Sequence, residues 1–156
     1  MAAPAQYERT QTSYVGLLVL GAAFVVSLAI AAMGDGLSVQ FVSLAVATFL
    51  LVGIVMAAMA RLRVSVDDRR VEATFGWGWP TRVIELTDLR SASQVRNSWW
   101  YGWGIRWIPH GSMYNVWGRD AVELRLMNDR VFRIGTDDPA GLLAALQSGA
   151  ACEPPR

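Results

Sequence analysis

The chain has 156 residues, 53% of them hydrophobic, and is nearly neutral, with 14 basic against 13 acidic side chains. Every base is an arginine, and beyond residue 60 there are 13 arginines against 11 carboxylates, far from the concentrated basic excess that grips a phosphate backbone. Nucleic-acid binding is therefore excluded, and the single cysteine, Cys152, excludes an internal disulfide framework.

Residues 1–10 are small and polar and read as a flexible N-terminus. Two apolar runs follow, residues 11–33 and 37–60, separated by Gly34, Asp35 and Gly36. No charged residue lies between Arg9 and Asp35 or between Asp35 and Arg61. Each run exceeds the roughly 20 residues that cross a hydrocarbon core as a helix. The pattern predicts a transmembrane helical hairpin over residues 11–60, with helices near 14–33 and 39–60. A cleavable signal peptide over residues 1–32, ending at Ala29, Ile30 and Ala31, is the alternative. The first run is longer than the about 7–15 residues of a signal core, and the second run follows at once, which favours an uncleaved helix.

Arg61, Arg63, Arg69 and Arg70 crowd the exit of the second run, and the connection before it has no base. The retention of bases on the cytoplasmic side predicts an integral inner-membrane protein with both termini cytoplasmic. Ala23, Ser27 and Ala31 in the first run, and Gly53 and Ala57 in the second, recur every four residues and predict helix-packing faces. The alternative use of those faces is self-association or contact with another membrane protein. Neither run contains an ionisable group, which argues against transport or a proton relay.

From Arg61 the period changes to two. Leu62, Val64 and Val66 alternate with polar residues, and Val71, Ala73 and Phe75 share the face of a second strand. Residues 82–86 and 89–95 form further segments, broken from the earlier strand by Gly76, Trp77, Gly78, Trp79 and Pro80. Trp103, Ile105 and Trp107 alternate with Gly102, Gly104 and Arg106, which predicts a strand with the two indoles in the core. Val122, Leu124 and Leu126, then Phe132 and Ile134, frame a hairpin turning at Asn128 and Asp129. Asp138 suits a helix N-cap and Pro139 the first turn, with Leu142, Leu143 and Leu146 as the apolar stripe and Gly149 as the stop. Residues 149–156 read as a disordered tail.

About seven short strands closed by one helix, over residues 61–148, is the order of a pleckstrin-homology-like (PH-like) barrel. The segments 85–91, 101–106 and 134–139 resemble those of bacterial membrane proteins carrying PH-like domains. The expected fold is α+β: the two-helix transmembrane hairpin, then an antiparallel PH-like barrel with a C-terminal helix. The resemblance implies architecture and location, with no defined ligand.

Seven tryptophans all follow the hairpin. Trp77, Trp79, Trp99 and Trp100 are candidates for a membrane interface or a partner, since indoles favour the headgroup level. Arg61, Arg63, Arg69 and Arg70 are candidates for anionic lipid headgroups. His110 has no second histidine or nearby cysteine, so neither a zinc site nor a histidine base is predicted. Asp67 with Asp68, and Asp137 with Asp138, sit in turn and cap contexts. Catalytic, metal and cofactor residues are all read as none. The sequence thus predicts a non-enzymatic binding or scaffolding module held to a lipid bilayer, or an accessory or assembly subunit of a larger membrane complex.

Overall fold

The computed structural model describes residues 6–33 and 38–151. Its elements run β1 (Tyr7–Thr12), α1 (Val15–Met33), α2 (Val39–Ala58), β2 (Arg61–Val66), β3 (Arg70–Phe75), β4 (Thr81–Glu85), β5 (Leu89–Arg96), β6 (Gly104–Ile108), β7 (Gly111–Asn115), β8 (Asp120–Leu126), β9 (Val131–Gly135) and α3 (Pro139–Ala151). Strands β1-β2-β3-β4 form an antiparallel sheet, and a second sheet has the order β5-β8-β9-β7-β6. Within the second sheet, β7 and β9 pair in parallel, with Ser112 opposite Phe132.

The alternation read from the sequence places the core. Leu62, Val64 and Val66 on β2, and Val71, Ala73 and Phe75 on β3, are buried. They meet Val122, Leu124, Phe132 and Ile134 of the second sheet. Phe75 and Phe132 each lie 5.1 Å from the ring of Tyr114 and so link the sheets through one aromatic chain. Leu142 and Leu146 of α3 complete this core. Asp138 caps α3 by accepting the Gly141 N–H at 3.0 Å. The β8–β9 turn places Asp129 at a φ of 59°, the left-handed conformation that Asp tolerates.

Several expectations are corrected. Among the described residues, no helix is long and apolar enough to cross a membrane. That finding overturns the transmembrane hairpin, the integral inner-membrane placement and the cytoplasmic assignment of the termini. The apolar runs are longer than the helices: Gln11 and Thr12 belong to β1, and Met59 and Ala60 lie beyond α2. The connection at Gly34–Gly36, where the topology argument turned, lies outside the described residues.

The expected barrel is also corrected. Among the described residues, nine strands form two sheets, with one parallel pair, and the edge strands β4 and β6 do not join to close a barrel. Residues 7–10, read as part of the flexible N-terminus, form a strand with Gln11 and Thr12 because β1 adds to the edge of β2 with Gln11 opposite Leu62. Gly149 does not stop α3, which continues to Ala151. A Cβ at Gly149 would lie 2.6 Å from Leu86 Cδ1, so the glycine serves close packing. The rest of the expected tail, residues 152–156 including Cys152, lies outside the described residues.

Candidate interaction surface

The helical pair emerges from one end of the first sheet. Thr12 pairs with Arg61, and the Ser13 N–H donates to the Ala60 carbonyl at 2.8 Å. The helices touch along a narrow seam. Phe24 and Phe49 meet as a tilted pair with centroids 4.7 Å apart, Leu20 abuts Gly53, and the Met56 methyl lies over Gly16. Positions 16, 20 and 24 therefore form the α1 side of the seam, at the four-residue spacing of one helix face. The small-residue face expected on α1 is displaced from it. Ala23 and Ser27 are exposed, and the Ser27 hydroxyl donates to the Ala23 carbonyl of its own helix at 2.8 Å. Ala31 lies in α1, but its side chain is outside the described residues. On α2, Gly53 lies in the seam, against Leu20, and Ala57 is half-buried one turn on.

A two-helix seam covers little of either helix. Leu18, Val19, Val25, Ile30, Leu44 and Leu51 are each 64–70% exposed. That apolar surface runs down to the tryptophans. The β3–β4 turn holding Trp77 and Trp79 is fastened to the base of the helices, since the Gly76 N–H donates to the Arg61 carbonyl at 2.9 Å. Trp117 is fastened there as well, its carbonyl accepting from Gln11 Nε2 at 3.2 Å. Trp103 stacks on Trp117 with centroids 5.2 Å apart. Four indoles thus surround the point where the helices leave the sheets.

Trp99 and Trp100 stack on each other at 3.9 Å in a single 3-10 turn beside this group. Trp77, Trp79, Trp99 and Trp100 are all well exposed, consistent with a contact role. Trp103 and Trp107, expected in the core, are exposed too, Trp107 to 88%. Their phase is as read: Ile105 lies opposite Tyr114, and Trp107 opposite Ser112, on the face that carries Phe132. Strand β6 is an edge, however, and among the described residues no strand of the first sheet pairs with it. Trp107 and Arg82, each on an unclosed edge strand, line a cleft of about 510 Å³ with His110 and Arg130. His110 sits in the β6–β7 turn at a φ of 66°.

The four candidate arginines are not one patch. Arg61 lies at the helix base, whereas Arg69 and Arg70 lie beyond the far end of β2, a strand about 17 Å long at its ordinary rise. Arg63 pairs with Glu8 at 2.9 Å and Arg70 with Asp67 at 3.2 Å. Asp67 also accepts the backbone N–H groups of Arg69 and Arg70. Partial burial works to raise its pKa, but those bonds and the Arg70 charge outweigh it and hold the carboxyl below its ordinary value. Asp137 forms a two-pronged pair with Arg9, at 3.1 and 3.0 Å. That hydrogen-bonded guanidinium holds the Asp137 carboxyl below the ordinary range. The paired carboxylates therefore stabilise a turn, a strand and a helix start.

What sequence reasoning missed is a second cavity, of about 480 Å³, between the 97–103 and 115–119 segments. Trp99, Trp103 and Trp117 line it with Asn97 and Asn115. The density of tryptophan between residues 99 and 117 was its signal; the amides gave none, because their burial depends on strands distant in sequence. No protein-family model matches the chain, and no curated protein matches it.

Proposed function

We propose that this chain is a non-enzymatic interaction module that works by association through its helical pair and the surrounding tryptophans. One observation carries the reading: large apolar side chains stay exposed along both helices, and indoles stay exposed on the segments hydrogen-bonded to the helix base, more than the singly scattered apolar residues of an ordinary monomer surface. The partner is an apolar protein face, which makes the chain a subunit of a larger assembly. Indoles at its rim supply large contact area with a polar N–H handle.

Purification of the full chain from its native cell in a mild detergent tests this. A stoichiometric complex, dissociated when Leu18, Val25 and Leu51 are changed together to Asn, is the expected result. A monodisperse single chain with no co-purifying protein would count against it. A second reading, lipid headgroup contact at the rim, is supported by Arg61 lying beside the Trp77–Trp79 turn. Binding of the purified chain to anionic vesicles, weakened by Arg61→Glu and indifferent to Arg69→Glu, separates that reading from protein association.

A further inference from the structure

The cavity between the 97–103 and 115–119 segments combines free aromatic faces with a buried polar atom that has no partner. Asn97 and Asn115 are 2% and 1% exposed. Asn115 is a brace: its Nδ2 donates to the carbonyls of Gly102 at 3.4 Å and Gly118 at 3.2 Å, tying the two segments together. Its Oδ1 lies against Gly135, where a Cβ would come within 2.2 Å, and has no hydrogen-bond partner among the described residues. Asn97 leaves a donor unpaired. Its Oδ1 accepts from Arg133 at 3.3 Å, while its Nδ2 has no partner among the described residues. A buried donor left unpaired is costly and points to an acceptor supplied from outside.

The indoles define the shape of that outside group. Trp99 is covered on one face by Trp100, and Trp103 and Trp117 cover each other with planes 22° apart. Each therefore has one face taken by another indole, so a ligand meets at most one face of each. Charge narrows the choice further. No carboxylate lines the cavity, which disfavours a cation, and its one charged lining residue, Arg119, already gives its Nε to the Asn97 carbonyl at 3.1 Å. A ligand with one apolar face and a rim of hydroxyls meets all of these conditions.

We propose that this cavity binds a neutral sugar, a pyranose ring resting its C–H face on an indole while a hydroxyl oxygen accepts from Asn97 Nδ2. At about 480 Å³ the cavity is within the range of small-molecule sites and has room for one or two such rings. The cavity shares Trp103 and Trp117 with the association surface, but titration with soluble sugars and isolation of a protein complex read the two proposals separately.

The test is a titration of the full chain, kept in solution by a zwitterionic detergent that contains no sugar, with methyl β-glucoside, cellobiose, maltose and, as a contrast, adenosine. Indole N–H resonances report the result. Saturable shifts at Trp99, Trp103 or Trp117 with at least one sugar, and none with adenosine, are expected. Trp99→Ala, at a 65% exposed position, is expected to weaken the affinity about tenfold or more with an unchanged Tm. Asn97→Ala is expected to weaken it as well; if that variant does not fold, Trp99→Ala carries the test. The proposal is overturned if no sugar gives a saturable shift, if adenosine binds instead, or if Trp99→Ala leaves the affinity unchanged.

Discussion

Gly76 lies directly against the carbonyl of Ala58: a Cβ at position 76 would come within 1.8 Å of that oxygen. The glycine also holds a φ of 38°, so only a residue without a side chain fits between the sheet and the end of α2. Gly76→Ala is expected to destabilise the chain by about 3 kcal/mol, combining a backbone clash with strain at positive φ. Equilibrium unfolding followed by circular dichroism measures this, with Gly78→Ala as the comparison, since a Cβ there meets nothing within 4 Å. Equal losses in the two variants would mean that strain alone, and not the contact with Ala58, sets the cost.

The Arg9–Asp137 pair joins β1 to the start of α3, and its sensitivity to pH has a definite sign. The folded pKa of Asp137 is depressed, so its contribution is present above the unfolded value near ~3.9 and is lost as pH falls through the folded value. The protection factors of the β1 amides, which discount the intrinsic pH dependence of exchange, are therefore expected to fall below about pH 4, while those of β8 and β9 hold. Asp137→Asn is expected to produce the fast-exchanging β1 at neutral pH. A β1 whose protection does not change in that variant would show that the pair holds nothing.

Leu142 is fully buried in α3, and Leu142→Ala is expected to cost about 3 kcal/mol through lost burial and a residual cavity. Met127, at the β8–β9 turn, is 65% exposed, and Met127→Ala is expected to stay within about 0.5 kcal/mol of the parent. Denaturant titrations of both variants, with unchanged slopes, check the contrast.

Trp107 decides between an open and a closed pair of sheets. At 88% exposure, its replacement by Ala is expected to shift stability by less than about 0.5 kcal/mol. A tryptophan inside a closed barrel would cost about 3–5 kcal/mol. A single-tryptophan variant keeping Trp107 is also expected to be quenched by acrylamide more strongly than one keeping Trp117, which is 45% exposed.

The strands of this fold were legible where alternation is local. Leu62, Val64 and Val66, the Val122–Ile134 hairpin and the Asp138 cap all follow from neighbours within a few residues. What could not be read depends on partners far along the chain. Residues 7–10 look like a polar leader, and Gln11 and Thr12 like the start of an apolar run, until β2, beyond both helices, is placed beside them. The face of Trp107 is set by its own period, but its exposure is set by the absence of a strand opposite. The apolar runs overstated the helices because their ends, Gln11 and Ala60, are apolar or uncharged for the sake of burial at the sheet, where they are 8% and 7% exposed. For the candidate site, tryptophan density pointed to the right region, and the unpartnered Asn97 amide emerged only from the packing.

The pairing of Thr12 with Arg61 makes residues 13–60, topologically, nothing more than the connection of a β-hairpin. Closing so long a loop while it is flexible costs about 2 kcal/mol more than closing a four-residue turn. Zipping of the two helices removes that cost, because it delivers Ser13 to Ala60 already in register. Strand β1 thus sits on the sheet edge through a connection that helix pairing closes, and a partner that parts the helices is expected to loosen that edge some distance from where it binds.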